Sequence, residues 1–234
     1  MTAIEITNRT QSAITQPASQ TPTVFVVDGD SSVRESLELL IVRSGWEPIT
    51  FGSAQEFLAS PHARVPNCLI LDVNLPDLGG LEVQKRVVAE RTATPVIFVT
   101  RHCDVGVTVE AMKAGAVEFL TKPFVIAEVL EATAHALERS RCAIAHDAVI
   151  HALRTRYASL TRRQREVMTL VVSGLLNKQV GGQLGISEIT VKVHRGEVMR
   201  KMKADSLPAL VTMSTWLGAA TPTIDTTRSL GAAW

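Results

Sequence analysis

The stretch Cys68-Leu69-Ile70-Leu71-Asp72-Val73-Asn74-Leu75-Pro76-Asp77-Leu78-Gly79-Gly80 decides how the rest of the chain is read. Four apolar residues run into a single carboxylate, and Pro76 and Gly79-Gly80 follow within one loop's length. This is the pattern of a buried strand that ends at a turn. In open α/β sheets, chemistry is placed at the carboxyl ends of the strands. Asp72 is therefore either a cap for its loop or a working carboxylate, and the stretch alone does not choose.

Upstream, Val24 to Asp28 reads as a strand. Gly29-Asp30-Ser31-Ser32 leads into Val33, Leu37, Leu40 and Ile41 at helical spacing, with a serine available as N-cap. Gly45 ends that helix, Trp46 to Phe51 forms a second strand, and Ser53-Ala54-Gln55-Glu56 opens a short helix with a capping box. Downstream, Gly80 to Glu90 is amphipathic. Pro95 to Thr100 is a fourth strand, Val107 to Ala114 a fourth helix, Ala116 to Leu120 a fifth strand and Val125 to about Arg141 a fifth helix. Five β/α units in succession predict an α/β domain, a flavodoxin-like (βα)5 fold with a parallel sheet of order 2-1-3-4-5. That order sets strands 1 and 3 side by side at the switch point, so Asp28 and Asp30 come near Asp72.

Beyond the fifth helix the pattern changes. Residues 141–155 read as a helical linker. Leu160-Thr161-Arg162-Arg163-Gln164-Arg165-Glu166 then places a threonine cap ahead of a helix carrying Val167, Leu170 and Val171. Asn177 to Leu184, a Gly185-Ile186-Ser187 turn, Glu188 to Met202 and Leu207 to Leu217 complete an all-α four-helix domain with a helix-turn-helix. The expected layout is a disordered tail at 1–22, the α/β domain at 23–140, the linker at 141–155, the helical domain at 156–217 and a flexible tail at 218–234.

Charge divides the same way. Residues 24–140 hold 10 Lys/Arg against 16 Asp/Glu, a net −6, whereas residues 151–217 hold 11 against 4, a net +7. One half repels polyanions and the other attracts them, as in a regulatory domain joined to a nucleic-acid reader. The three cysteines, Cys68, Cys103 and Cys142, match no zinc or disulfide spacing, which points to a reducing compartment and hence the cytoplasm. No apolar run approaches the ~20 residues that span a bilayer, and no membrane role is expected.

With these elements in place, the chain resembles a two-component response regulator of the NarL/FixJ type, a receiver domain followed by a LuxR-type helix-turn-helix. The resemblance rests on Asp28, Asp72, Thr100 and Lys122-Pro123 at strand ends, and on the C-terminal signature through Lys192-Val193-His194. It implies that Asp72 accepts a phosphoryl group from a sensor histidine kinase, that Lys122 neutralises the transferred charge, and that Thr100 and Phe119 form a switch. It also implies Mg2+ as cofactor, held by Asp28, Asp72 and the backbone carbonyl of Asn74. In the second domain it implies contacts to double-stranded DNA from Lys178, Thr190, Lys192, Val193, His194 and Arg195. Arg200 and Lys201 are phosphate contacts or solvated face, while Val191, Val198 and Met202 belong to the core. The implied protein is a homodimeric transcription factor and not an enzyme.

Four positions depart from the family pattern. Gly29 stands where an acid usually ligates the metal directly, which predicts weaker Mg2+ binding. Arg101 follows Thr100 where a small residue is usual. It either folds over the site to pair with Asp28 or Asp72, or is a solvated loop residue while Asp30 or water replaces the missing ligand. The first account makes the chain an atypical receiver, with weak or absent Mg-dependent phosphorylation and phosphate-independent dimers. Gly181-Gly182 interrupts a supporting helix and either permits close packing or weakens the domain.

Overall fold

The computed structural model describes residues 21–61, 65–102 and 104–218. Apart from positions 21, 22 and 218, the tails expected at 1–22 and 218–234 lie outside the described residues, as does Cys103. Strands β1 (Thr23–Val27), β2 (Glu47–Phe51), β3 (Asn67–Asp72), β4 (Val96–Thr100) and β5 (Glu118–Thr121) alternate with helices α1 (Ser31–Arg43), α2 (Ala54–Ala59), α3 (Gly80–Glu90), α4 (Val105–Lys113) and α5 (Ile126–Ala158). All strand pairs are parallel, in the order β2-β1-β3-β4-β5.

The run Cys68 to Leu71 is wholly buried because both faces of the sheet are covered. Cys68 and Ile70 lie with Val24, Val26 and Ile97 against Leu37, Ile41, Val129 and Ala136. Leu69 and Leu71 alternate to the other face, with Val27, Phe98, Phe57, Val83 and Val87. Each such side chain contributes roughly 1.5–3 kcal/mol on burial. Register pairs Val27 with Leu71, and Leu71 with Phe98. Asp28 and Asp72, each next along its strand, therefore leave the sheet side by side.

Local chemistry sharpens several boundaries. Asp30, not a serine, is the N-cap of α1, accepting from Ser32 N, because Ser31 and Ser32 are already inside the helix. Asp104 caps α4 through Gly106 N and Val107 N, starting it two residues before the expected Val107. Asp77 in the loop after β3 accepts from Ala54 N at 3.2 Å and Gln55 N at 2.9 Å, tying that loop to the start of α2. Burial raises the Asp77 carboxyl, but the backbone N–H donors outweigh it and hold the group below its ordinary value.

The described residues form two compact units that divide between Ala145 and His146, within α5. In the second unit, Leu153 joins α6 (Arg162–Val172), α7 (Asn177–Leu184), α8 (Glu188–Met202) and α9 (Leu207–Trp216) around Leu160, Met168, Val198, Met202 and Leu210. Val167, Val171, Val180 and Val191 fill the space between α6, α7 and α8. Thr161 and Gln164 form a reciprocal capping box at α6. Gly185 turns the chain at φ +65°, and the Ser187 hydroxyl caps α8 by accepting from Thr190 N. The two glycines of α7 differ. A side chain on Gly181 would come within 2.7 Å of Ile186 O, whereas one on Gly182 would meet nothing within 4 Å. Close packing accounts for the first and not the second. No helix among the described residues is long and apolar enough to cross a membrane.

Candidate functional site

At the carboxyl end of the sheet, Asp28, Asp72, Thr100 and Lys122 converge. Asp28 is 1% exposed, Asp72 9% and Thr100 0%. Lys122 Nζ donates to both acids, to Asp28 Oδ2 at 2.5 Å and to Asp72 Oδ2 at 2.8 Å. The Lys122-Pro123 bond is cis. Asp28 Oδ1 accepts from Asp30 N at 2.9 Å and Asp72 Oδ1 from Asn74 N at 3.0 Å, so both carboxylates are held at each end. Gly80 lets α3 press against this strand end, since a side chain there would lie 2.8 Å from Asp72 O.

The Thr100 hydroxyl donates to His102 O at 3.1 Å and accepts from Asn74 Nδ2 at 3.4 Å. It thereby links its own loop to the one that follows Asp72. Phe119 is half-buried and packs on Phe98, with ring centroids 6.0 Å apart. A cavity of about 700 Å³ opens over the site, lined by Asp28, Gly29, Asp30, Asp72, Asn74, Arg101 and His102.

Arg101 does not fold onto Asp28 or Asp72. Its side chain is 62% exposed, as in the solvated-loop account, with Nη2 paired to Asp30 Oδ2 at 2.5 Å. Asp30 is thus occupied by Arg101 and by the cap of α1. Arg34, a residue the sequence did not single out, donates from Nη1 to Asp28 O at 2.6 Å. Three carboxylates, Asp28, Asp30 and Asp72, face three cationic side chains, Arg34, Arg101 and Lys122.

Mg2+ takes one or two carboxylates and keeps several waters. Asp28, Asp72 and the Asn74 carbonyl fit that minimum, because Oδ1 of each acid carries one N–H and has acceptor capacity left. A third free acid is missing, because Asp30 is held by Arg101 and by the cap of α1. Gly29 has no side chain, and among the described residues no three His, Cys, Asp or Glu side chains converge as a metal cluster would. Cys68 is sealed in the core, where burial pushes its thiol well above the ordinary range, and Cys142 is exposed.

In the second unit, Lys178, Thr190, Lys192 and Val193 are exposed, and His194 and Arg195 are partly so. The Thr190 hydroxyl bonds Ser187 Oγ at 2.8 Å, and Arg195 Nη1 donates to Asn177 Oδ1 at 3.2 Å, joining α8 to α7. Arg200 pairs with Glu197, and Lys201 donates to Ser159 O and Gln164 Oε1, so Lys201 ties α8 back to the start of α6. Val191, Val198 and Met202 are buried, as expected. Ile189 is 77% exposed on the same helix as Lys192 and Val193. The phase of the Glu188–Met202 helix could have exposed it in the sequence.

Comparison with known proteins agrees with this architecture. Residues 24–134 match the response regulator receiver domain, and residues 158–214 match the bacterial regulatory proteins of the luxR family. The chain is 46% identical to Nodulation protein W of Bradyrhizobium diazoefficiens, over 86% of this chain and 88% of that protein. It is 41% identical to Transcriptional regulatory protein FixJ of Rhizobium meliloti, over 82% of this chain and 94% of that one. Among solved structures, the response regulator StyR aligns with a TM-score of 0.73 at 41% identity, covering 84% of this chain and 99% of StyR. The chain belongs to the two-component response regulators of the NarL/FixJ type, in which a receiver domain is joined to a LuxR-type helix-turn-helix.

Proposed function

We propose that Asp72 accepts a phosphoryl group from a sensor histidine kinase and that this event controls how the chain, as a homodimer in the cytoplasm, binds double-stranded DNA. The observation that carries the reading is Lys122 Nζ, 2.8 Å from Asp72 and 2.5 Å from Asp28, beside an open cavity. An Asp72 oxygen bonds to phosphorus as the bond to the donor breaks, and the donor keeps the electron pair. Lys122 offers positive charge to the transferred oxygens. Asp28, Asp72 and the Asn74 carbonyl would hold Mg2+, which when bound would supply further positive charge there. Thr100 gives up its bond to His102 O and donates to a phosphoryl oxygen, drawing its loop inward, and Phe119 follows into the vacated space. Val105, Val109 and Met112, 74%, 44% and 43% exposed along α4, offer an apolar face for a second copy. In this reading the chain acts as a regulator and not as an enzyme.

Gly29 and the Arg101–Asp30 pair favour a second reading, in which the chain's own cations replace much of the metal's charge and phosphorylation depends weakly on Mg2+, or dimers form without phosphate. Intact mass after incubation with acetyl phosphate across a Mg2+ titration tests both readings. Wild type is expected to gain one phosphoryl group and Asp72→Ala none. Gly29→Asp has room, since a Cβ there lies 3.7 Å from Pro76 Cδ. It should reach half-labelling at roughly tenfold less Mg2+, the scale of one added carboxylate near the cation. Equal Mg2+ requirements in wild type and Gly29→Asp would sink the idea that Gly29 weakens the site. No gain in wild type would favour the phosphate-independent reading.

A further inference from the structure

A second cavity, of about 220 Å³, opens at the end of the sheet opposite Asp72: Val96, the first residue of β4, lines it, whereas Thr100, the last, reaches the acidic site. Gln84, Val88 and Arg91 line it along α3 and its C-cap at i, i+4 and i+7, one stripe about 10 Å long. Ala114 lines it from the end of α4 and Arg139 from α5. The phosphoryl chemistry at Asp72 does not use this cavity.

Its polar groups are incomplete. Gln84 is 1% exposed, and its Nε2 donates to Ala111 O at 3.0 Å. Its Oε1, closed to bulk water, has no partner among the described residues, and a buried acceptor without a donor is disfavoured. Arg91 is 5% exposed, yet its guanidinium donates only to neutral oxygens, the carbonyls of Phe57, Leu58 and Ser60 at 3.0, 3.1 and 2.8 Å and the Ser60 hydroxyl. Among the described residues no carboxylate pairs with it, and a cation taken out of water without an anion is costly. Arg139 is exposed and likewise has no ion pair among the described residues.

The missing pieces define the occupant. Two cations without a counter-charge call for an anion, an orphaned acceptor calls for a hydroxyl or N–H donor, and Val88, Val96 and Ala114 offer an apolar wall to a hydrocarbon body. The volume lies below the ~300–1,000 Å³ of drug-sized sites, so the body is a single ring or a short chain. We propose that this cavity binds a small organic carboxylate that carries a hydroxyl or N–H donor at its far end. The carboxylate accepts from Arg139 in the field of Arg91, and the donor supplies Gln84 Oε1 with its partner. This site stands apart from the phosphoryl reading and does not depend on it.

Three probes titrated into the isotope-labelled full-length chain, with amide shifts followed by NMR, test the site. Para-hydroxybenzoate carries both groups, benzoate lacks the donor, and para-hydroxybenzamide lacks the charge. Para-hydroxybenzoate is expected to shift the amides of Ala114, Gly115 and Arg139. It should bind about fivefold more tightly than benzoate, the effect of satisfying one buried acceptor, and roughly tenfold more tightly than para-hydroxybenzamide, the effect of a charge-assisted contact. Arg139→Gln, at an exposed position, should weaken para-hydroxybenzoate about threefold and leave para-hydroxybenzamide unchanged. Gln84→Met keeps the side-chain length and should make para-hydroxybenzoate and benzoate equal. No shift at Ala114, Gly115 or Arg139 up to the solubility of the probes, or shifts confined to the surroundings of Asp72, overturns the site. Equal binding of para-hydroxybenzoate and para-hydroxybenzamide, or no loss in Arg139→Gln, overturns the anion assignment. A preference for para-hydroxybenzoate over benzoate that survives Gln84→Met overturns the role given to Gln84.

Discussion

Replacing Lys122 by methionine is expected to slow phosphoryl transfer to Asp72 by roughly 10²- to 10³-fold, the usual cost of removing one preorganised charge donor from a transfer site. The Lys122 side chain is 7% exposed between Asp28 and Asp72, at 1% and 12%, so its charge acts where water screens poorly. Methionine keeps the length and the apolar stem but not the ammonium. Its loss also leaves two neighbouring carboxylates without their shared partner. The cavity above them admits water, which holds the stability loss to about 1–3 kcal/mol, below the full cost of breaking a sealed ion pair. A time course of intact mass with acetyl phosphate, together with urea unfolding, checks both numbers. A transfer rate within threefold of wild type would mean that Lys122 is only a structural cation.

The glycine pair of α7 is expected to give effects of opposite sign. Gly182→Ala, pointing into open space, should stabilise the second unit by about 1 kcal/mol through helix propensity alone. Gly181→Ala gains the same propensity but drives a methyl group to 2.7 Å from Ile186 O, a backbone atom of the tight turn. The turn cannot yield cheaply, because Ile186 N also donates to Gly181 O at 3.0 Å. Overpacking of about 1–3 kcal/mol therefore offsets or exceeds the gain, and the net effect is destabilising. Because the turn positions α8 against α7, duplex binding should fall with it. Urea unfolding followed by circular dichroism separates the two variants; a shift in the same direction for both would contradict the packing assigned to Gly181.

The sheet was legible because its three central strands, β1, β3 and β4, are buried and built around continuous apolar runs. Cys68 to Asp72 could hardly be anything but a central strand. The helix-turn-helix boundaries were equally plain, since Asn177, Gly185 and Ser187 mark ends that the structure keeps. Less legible was anything decided by side-chain reach. Ser31 and Ser32 look like caps in one dimension, yet Asp30 does the capping and is then turned toward Arg101, 71 residues along the chain. Arg34 meets the Asp28 carbonyl through the geometry of the first helical turn, which no spacing rule announces. The fifth helix runs on to Ala158 because alanine and long charged side chains sustain a helix without a marked apolar face, so its end carried no strong periodic signal. Ile189, 77% exposed, does not stand out in the sequence, because an apolar residue in a helix reads as core until the phase of the buried face is known.

In the proposed function, chemistry at Asp72 governs DNA binding by the second domain. The decisive measurement is the affinity of the full-length chain for a duplex selected from a randomised library, before and after acetyl phosphate treatment, in wild type and in Asp72→Ala. Tighter binding after treatment in the wild type, with no change in Asp72→Ala, is the expected result. The same response in both proteins, or no response in either, would contradict it.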